Sequence, residues 1–267
     1  MKELVFVGLG LYDEKDISLR GLKELKEADT VFAETYTSLM PGLSIKKLEE
    51  MIGKQIVIVP RRVLEEEDGE QIFEATKKGK AAIIVQGDPM IATTHVDLLI
   101  TAKKLGIKTT VVHNASAVSA VRGLSGLQNY KFGKSVTIPF PDRGIAPETP
   151  YNVIQENKKM GLHTMCYLDI KATEQRYLTV NDALKSLLEL EKQKKEQVVT
   201  PKTLVVGIAR AGSPEPTMNA GFIEEVVEFD FGAPPHTLIF PGKLHFMEAE
   251  ALVELGDAPK QVLEVAQ

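Results

Sequence analysis

At 267 residues, 43% apolar and 26% charged, the chain has ordinary globular composition, enough for two domains of normal size or one large one. A net charge of −5 and a pI near 5.7 leave no electrostatic footprint for wholesale binding to nucleic acid or an anionic membrane. The single cysteine, Cys166, excludes an internal disulfide; no apolar run approaches the ~18 residues of a membrane span, and strand signal begins too early for a signal peptide, so a soluble cytoplasmic protein is expected.

The first apolar run, Leu4-Val5-Phe6-Val7, has the length and β-branched content of a buried parallel strand and ends in Gly8-Leu9-Gly10-Leu11-Tyr12-Asp13. Asp16 stands where it would cap a helix carrying Ile17, Leu19, Leu22 and Leu25 on one face. Thr30-Val31-Phe32-Ala33 reads as a second strand, leading into the polar turn Glu34-Thr35-Tyr36-Thr37-Ser38. Ser44 opens a short helix with Ile45, Leu48 and Met51, closed by Gly53. A strand from Gln55 to Val59 stops at Pro60, and the charged stretch 61–70 is a solvated loop or helix start. A helix over 71–78 ends at Gly79. The strand Ala81-Ala82-Ile83-Ile84-Val85 then runs into a second glycine turn, Gln86-Gly87-Asp88-Pro89-Met90. Thr93 or Thr94 starts a helix with Val96, Leu99, Ile100 and Leu105, and 108–112 returns as a strand.

From Asn114 to Gly126 the texture changes to small residues, which let a helix pack closely on a ligand or another backbone. The domain junction is placed here, giving an N-terminal α/β domain over 1–114 and a C-terminal one over 115–267. The Pro/Gly-rich stretch 139–150 is a long irregular connection. Beyond it come a helix near 151–159, a strand over 163–170, and a helix over 179–195 in which Thr179 and Asp182 make a capping pair. Cys166, in the apolar stretch Met165-Cys166-Tyr167-Leu168, reads as a small buried hydrophobe. Strands over 203–208 and 236–240 follow, the first closing in Ala209-Arg210-Ala211-Gly212-Ser213, and a last helix covers 244–255.

In an open parallel sheet, ligands sit beyond the carboxyl ends of the strands, and glycine there lets backbone approach a ligand. Both glycine turns stand in that place, so the chain reads as an α/β enzyme holding a small molecule on backbone-rich loops. The familiar cradles are missing. The position three beyond Gly10 is Asp13, not the glycine of a dinucleotide fingerprint, and neither a phosphate-binding Gly-Lys-Ser/Thr nor a Gly-x-Ser-x-Gly elbow occurs. His95, His113, His163, His236 and His245 lie far apart, without zinc-ligand spacing, and no metal is expected. What remains is chemistry in which the cofactor arrives already activated. Methyl transfer from a sulfonium fits, because the protein then mainly aligns an in-line attack in a dry pocket.

An ordered set of segments selects further. It comprises Gly8-Leu9-Gly10-Leu11-Tyr12-Asp13-Glu14-Lys15-Asp16, Ala33-Glu34-Thr35-Tyr36-Thr37-Ser38-Leu39 and Gln86-Gly87-Asp88-Pro89-Met90-Ile91-Ala92-Thr93-Thr94-His95. Tyr130-Lys131-Phe132-Gly133-Lys134-Ser135, Gly161-Leu162-His163-Thr164 and Leu168-Asp169-Ile170-Lys171-Ala172 continue it. Ala209-Arg210-Ala211-Gly212-Ser213, Pro234-Pro235-His236 and Pro241-Gly242-Lys243-Leu244-His245 close it. Over essentially the whole chain this resembles the diphthine synthase family, a branch of the tetrapyrrole methylase-like group. Tetrapyrrole methylases proper carry a more Gly/Pro-rich first loop ending in Gly-Asp, and a tyrosine-glycine pair after Gly-Asp-Pro. Leu11-Tyr12-Asp13-Glu14-Lys15-Asp16 and Thr93-Thr94-His95 depart from both in the direction of the diphthine branch.

The resemblance implies two α/β domains with S-adenosylmethionine in the cleft between them, and a homodimer. It implies methylation of the amino group of a 2-(3-amino-3-carboxypropyl)histidine in translation elongation factor 2, three times in the archaeal type, to which the lack of extensions points. Carried over, the cofactor contacts are Leu11, Asp88, Ile91, Ser116, Ala117, Leu168, Ala211 and His236. Glu34, Tyr36, Thr37, Ser38, Thr93 and Arg210 are expected near the substrate's amino-acid-like arm, and no general base is named. Two other readings stay open at this point: a tetrapyrrole or ribosomal-RNA methyltransferase of the same group, and a nucleotide-binding module or dehydrogenase.

Overall fold

A computed structural model describes residues 2–265 apart from Thr37, Glu66 and 92–94, and the side chains of Glu65, Thr173 and Val265. The chain divides into two compact units. One is Met1–Ala117 with Ala172–Glu174, and the other is Val118–Lys171 with Gln175–Gln267. The division falls inside the small-residue stretch that opens at Asn114.

The first unit is built of β1 (Glu3–Gly8), α1 (Leu19–Glu27), β2 (Thr30–Ala33), α2 (Ile45–Ile52), β3 (Ile56–Ile58), α3 (Arg61–Glu65), α4 (Glu70–Lys78), β4 (Lys80–Val85), α5 (His95–Lys104) and β5 (Lys108–Val112). Its five strands are all parallel, in the order β3-β2-β4-β1-β5. β1 and β4 are central and buried along nearly their whole length, which is why both read as unbroken apolar runs rather than alternating ones. Leu25, Leu48 and Ile52 cover one face of this sheet; Ile72, Phe73, Leu98 and Ala102 cover the other.

Two expectations about this unit are corrected. Asp16 does not cap α1. Ser18 does, accepting from the Gly21 N–H at 3.0 Å, and Leu19 turns outward, 87% exposed. In α5 the buried stripe is His95, Leu98 and Ala102, while Val96, Ile100 and Leu105 face solvent. This helix carries two apolar stripes, and periodicity alone does not say which one meets the sheet. Thr93 and Thr94, offered as its start, lie outside the described residues.

From α6 (Ala117–Ser125) onward come β6 (Val136–Ile138), α7 (Glu148–Lys159), β7 (Thr164–Leu168), the short hairpin β8 (Ile170–Lys171) and β9 (Arg176–Tyr177), α8 (Val180–Lys194), β10 (Leu204–Ala209), β11 (Thr217–Phe222), α9 (Ile223–Val226), β12 (His236–Phe240) and α10 (Phe246–Gly256). The second sheet has the order β11-β10-β12-β7-β6. Its pairings are antiparallel except β6 with β7. Thr179 caps α8 as its spacing foretold, accepting from the Asp182 N–H at 3.1 Å and donating to the Asp182 carboxylate at 2.8 Å. β6, β11 and α9 have no counterpart in the sequence reading. β11 contains Asn219 and Gly221, and its pattern is too irregular to signal a strand.

Candidate functional site

In the first unit, the two glycine turns leave the carboxyl ends of neighbouring strands and are bonded to each other. Gly10 N–H donates to the Gly87 carbonyl at 3.3 Å, Gly87 N–H to the Gly10 carbonyl at 2.7 Å, and Leu9 N–H to the Val85 carbonyl at 2.8 Å. The close approach dictates the residue type. A Cβ on Gly8 would lie 2.7 Å from the Gly87 carbonyl oxygen, and Gly10 holds φ +95° with Asp16 Cβ 2.4 Å from where its own Cβ would be.

Asp16 organises the first turn. Its Oδ2 accepts from Leu11 N–H at 3.0 Å and Tyr12 N–H at 2.7 Å, folding the loop back on itself. Asp88, 6% exposed, does the same for the second turn: Oδ1 accepts from Met90 N–H at 2.9 Å, and Oδ2 from Asn114 N–H at 3.1 Å and His113 Nδ1 at 2.8 Å. Asn114 ties the set together, donating through Nδ2 to the carbonyls of Gly8 and Asp16, both at 3.0 Å. Leu11, Asp88, Ser116 and Ala117 therefore gather at one end of the first sheet, with Ser116 Cα 4.0 Å from the open side of Gly87. Ile91, joined to the turn by its N–H to the Asp88 carbonyl at 3.3 Å, is 45% exposed. Glu34 is buried at the end of β2 and accepts from Tyr36 N–H at 3.2 Å; Ser38 is half-buried, and Thr37 and Thr93 lie outside the described residues.

In the second unit, Leu168 ends β7, Ala211 follows β10, and His236 opens β12. The registers Ala209 with His236 and Tyr167 with Thr237 put these strand termini at one end of the second sheet. His236 is 6% exposed and both ring nitrogens are engaged. Nδ1 accepts from Val180 N–H at 3.3 Å, and Nε2–H donates to the Gly232 carbonyl at 3.1 Å. Burial pushes this imidazole below its ordinary value, although the Gly232 carbonyl pulls the other way. A ring held neutral and doubly bonded positions its strand and offers its face for packing. Arg210, at φ +52°, donates to the carbonyls of Phe231 and Ala233 at 2.9 and 2.5 Å and to Thr217 Oγ1 at 2.6 Å, bracing the loop ahead of His236.

Among the described residues, Gln86 Oε1, one residue before Gly87, is buried without a hydrogen-bond partner, and in the second unit so is Ser213 Oγ, after Ala211-Gly212. Buried polar atoms are normally satisfied, so each marks a place that suits an incoming polar ligand. Sequence reading missed Asn114, Asp16 and His113 as parts of this end of the sheet. The available signal was position: His113 and Asn114 directly follow the carboxyl end of a parallel strand.

Several resemblance-bearing residues outside these turns form a buried polar knot in the second unit. Glu248 accepts from His163 Nε2 at 2.9 Å, Gln128 N–H and His245 N–H at 2.8 Å, and Lys131 Nζ, while His163 Nδ1 accepts from Gly242 N–H at 2.9 Å. Burial alone would raise the Glu248 carboxyl, but these donors outweigh it and hold it at about 2. The knot fastens the start of α10 to the turns around Lys131 and Gly242.

Residues 3–227 match the family described as Tetrapyrrole (Corrin/Porphyrin) Methylases. A diphthine synthase of Methanosarcina mazei is 48% identical over 98% of this chain and 98% of its own length. One of Methanocella arvoryzae is 50% identical over 94% of this chain and 97% of its own. A crystal structure of diphthine synthase superposes with a TM-score of 0.89 at 40% identity, covering 99% of this chain and 100% of the other. The chain belongs to the tetrapyrrole methylase family and, within it, to the diphthine synthases.

Proposed function

We propose that this protein methylates the amino group of a 2-(3-amino-3-carboxypropyl)histidine in translation elongation factor 2, to the trimethylated stage. The reaction class comes with the family: transfer of methyl groups from S-adenosylmethionine in diphthamide biosynthesis. The observation that carries the reading is the mutual bonding of the Gly10 and Gly87 turns at the carboxyl ends of β1 and β4. That end of a parallel sheet is where a ligand is held, and the turns present main chain to it.

The proposed cofactor contacts are Leu11, Asp88, Ile91, Ser116 and Ala117 from the first unit and Leu168, Ala211 and His236 from the second. The open side of Gly87 and the unpartnered Gln86 Oε1 beside it suit a molecule carrying an ammonium or hydroxyl groups. When bound, the cofactor supplies an electrophilic methyl on a sulfonium with a neutral leaving group. In each unit these residues hold geometry: Asp16 and Asp88 fix the turns of the first, and His236 and Arg210 fix the loop and strand ends of the second. Glu34, Tyr36, Thr37, Ser38, Thr93 and Arg210 are proposed to lie near the substrate's amino-acid arm. The protein is further proposed to be a cytoplasmic homodimer, which sedimentation at micromolar concentration tests. Among the described residues, no helix is long and apolar enough to cross a membrane.

The experiment is methyl transfer from labelled S-adenosylmethionine to elongation factor bearing the aminocarboxypropyl histidine, followed by mass spectrometry of that histidine. Transfer confined to the modified factor is expected. Equal transfer to the unmodified factor refutes the substrate.

A further inference from the structure

We propose that His113, oriented by Asp88, is the proton acceptor for the substrate amine; this rests on the reaction proposed above. An amine is protonated at neutral pH and has no lone pair for attack until a proton leaves. Each transfer therefore needs a base. His113 Nδ1 lies 2.8 Å from Asp88 Oδ2, and a carboxylate only accepts, so Nδ1 carries the hydrogen and Nε2 holds the lone pair. The orienting carboxylate is itself locked. Asp88 is 6% exposed and also accepts from the Met90 and Asn114 N–H groups, so the imidazole is aimed by a fixed partner. A base held by a third group in this way is the arrangement that proton-transfer catalysis requires.

His113 also differs from the buried histidines in the way the task demands. His163 and His236 have both ring nitrogens bonded inside the second unit. The His113 side chain is 69% exposed, and among the described residues no group occupies its Nε2. It sits at the end of β5, beside β1, bonded to the turn that follows β4. The charged group that a hydrogen bond brings to it is Asp88 on that turn; Asn114, the next residue, reaches only the main-chain carbonyl of Asp16.

Nε2 takes a proton from the ammonium; the freed nitrogen pair forms the N–CH3 bond as the S–CH3 pair departs to sulfur, giving a neutral thioether and a methylammonium. Repetition requires the same proton removal before each new N–CH3 bond. An exposed imidazole discharges each proton to water between rounds, which a buried one would not do readily.

The test compares wild type with His113→Ala and His113→Gln on modified elongation factor. Expected for both variants is unchanged calorimetric affinity for S-adenosylhomocysteine, kcat lowered about 100-fold, loss of the lower limb of the wild-type pH profile, and partial recovery of His113→Ala by added imidazole. Unchanged kcat and pH profile in the variants overturn the assignment, and so does a loss that imidazole does not restore while affinity holds. Variants that lose S-adenosylhomocysteine affinity overturn it too, since His113 is then a binding group. Wild type that transfers no methyl refutes the reaction itself, a result distinct from all of these.

Discussion

Glu248 shows how a single buried side chain governs a region. Its carboxylate has no exposure and accepts from two backbone amides, a lysine and a histidine. Replacing it with glutamine leaves Lys131 and His163 facing a neutral amide, and about 3 kcal/mol of stability is expected to go, measured by urea unfolding. The pH dependence has a definite sign. Glu248 is held at about 2 against 4.5 when free, so its contribution is complete above 4.5 and is lost as pH falls through 4.5 toward 2. His163 and His236 are both held below 6.5 by burial, so the unfolded chain takes up protons that the folded one refuses, and stability begins to fall below 6.5. Urea midpoints read from pH 7 to 3 should decline throughout, and Glu248→Gln should flatten the acid end. The same residue-scale view separates the histidines: alike in sequence, they differ in whether both nitrogens are bound.

At the scale of elements, the glycine turns are the decisive pieces. Gly10 combines a positive φ with a neighbour where its Cβ would be, whereas Gly87, at φ +76°, has open space with nothing nearer than 4.0 Å. Gly10→Ala is therefore expected to cost about 2 kcal/mol and to weaken S-adenosylhomocysteine binding, because the loop held by Asp16 must move. Gly87→Ala should cost about 1 kcal/mol, from backbone strain alone. Urea titration and calorimetry of the two variants check the order. The turns themselves were legible from the apolar runs before them. Their bonding to one another was not, because it depends on β1 and β4 being sheet neighbours despite the two strands between them in the chain.

The whole molecule consists of two units, each with its own sheet and core. A ligand that binds only the folded chain stabilises it by mass action, about 2.7 kcal/mol at a hundredfold excess over Kd. S-adenosylhomocysteine should accordingly raise Tm by several degrees and NAD should leave it unchanged, read by a thermal scan with each at the same concentration. Most of the alternating elements, the glycine turns at the ends of β1 and β4, the capping of α2 and α8, and membership of the family were legible in the amino-acid sequence alone. These are local, since a strand's burial, a cap and a glycine turn are written in a few consecutive residues. Long-range packing settles that Asp16 staples a loop instead of capping a helix, which stripe of α5 is buried, that the second sheet is largely antiparallel, and that Asp88 reaches His113. Each of these turns on contacts between residues distant along the chain, where pattern and spacing carry no information about who becomes whose neighbour.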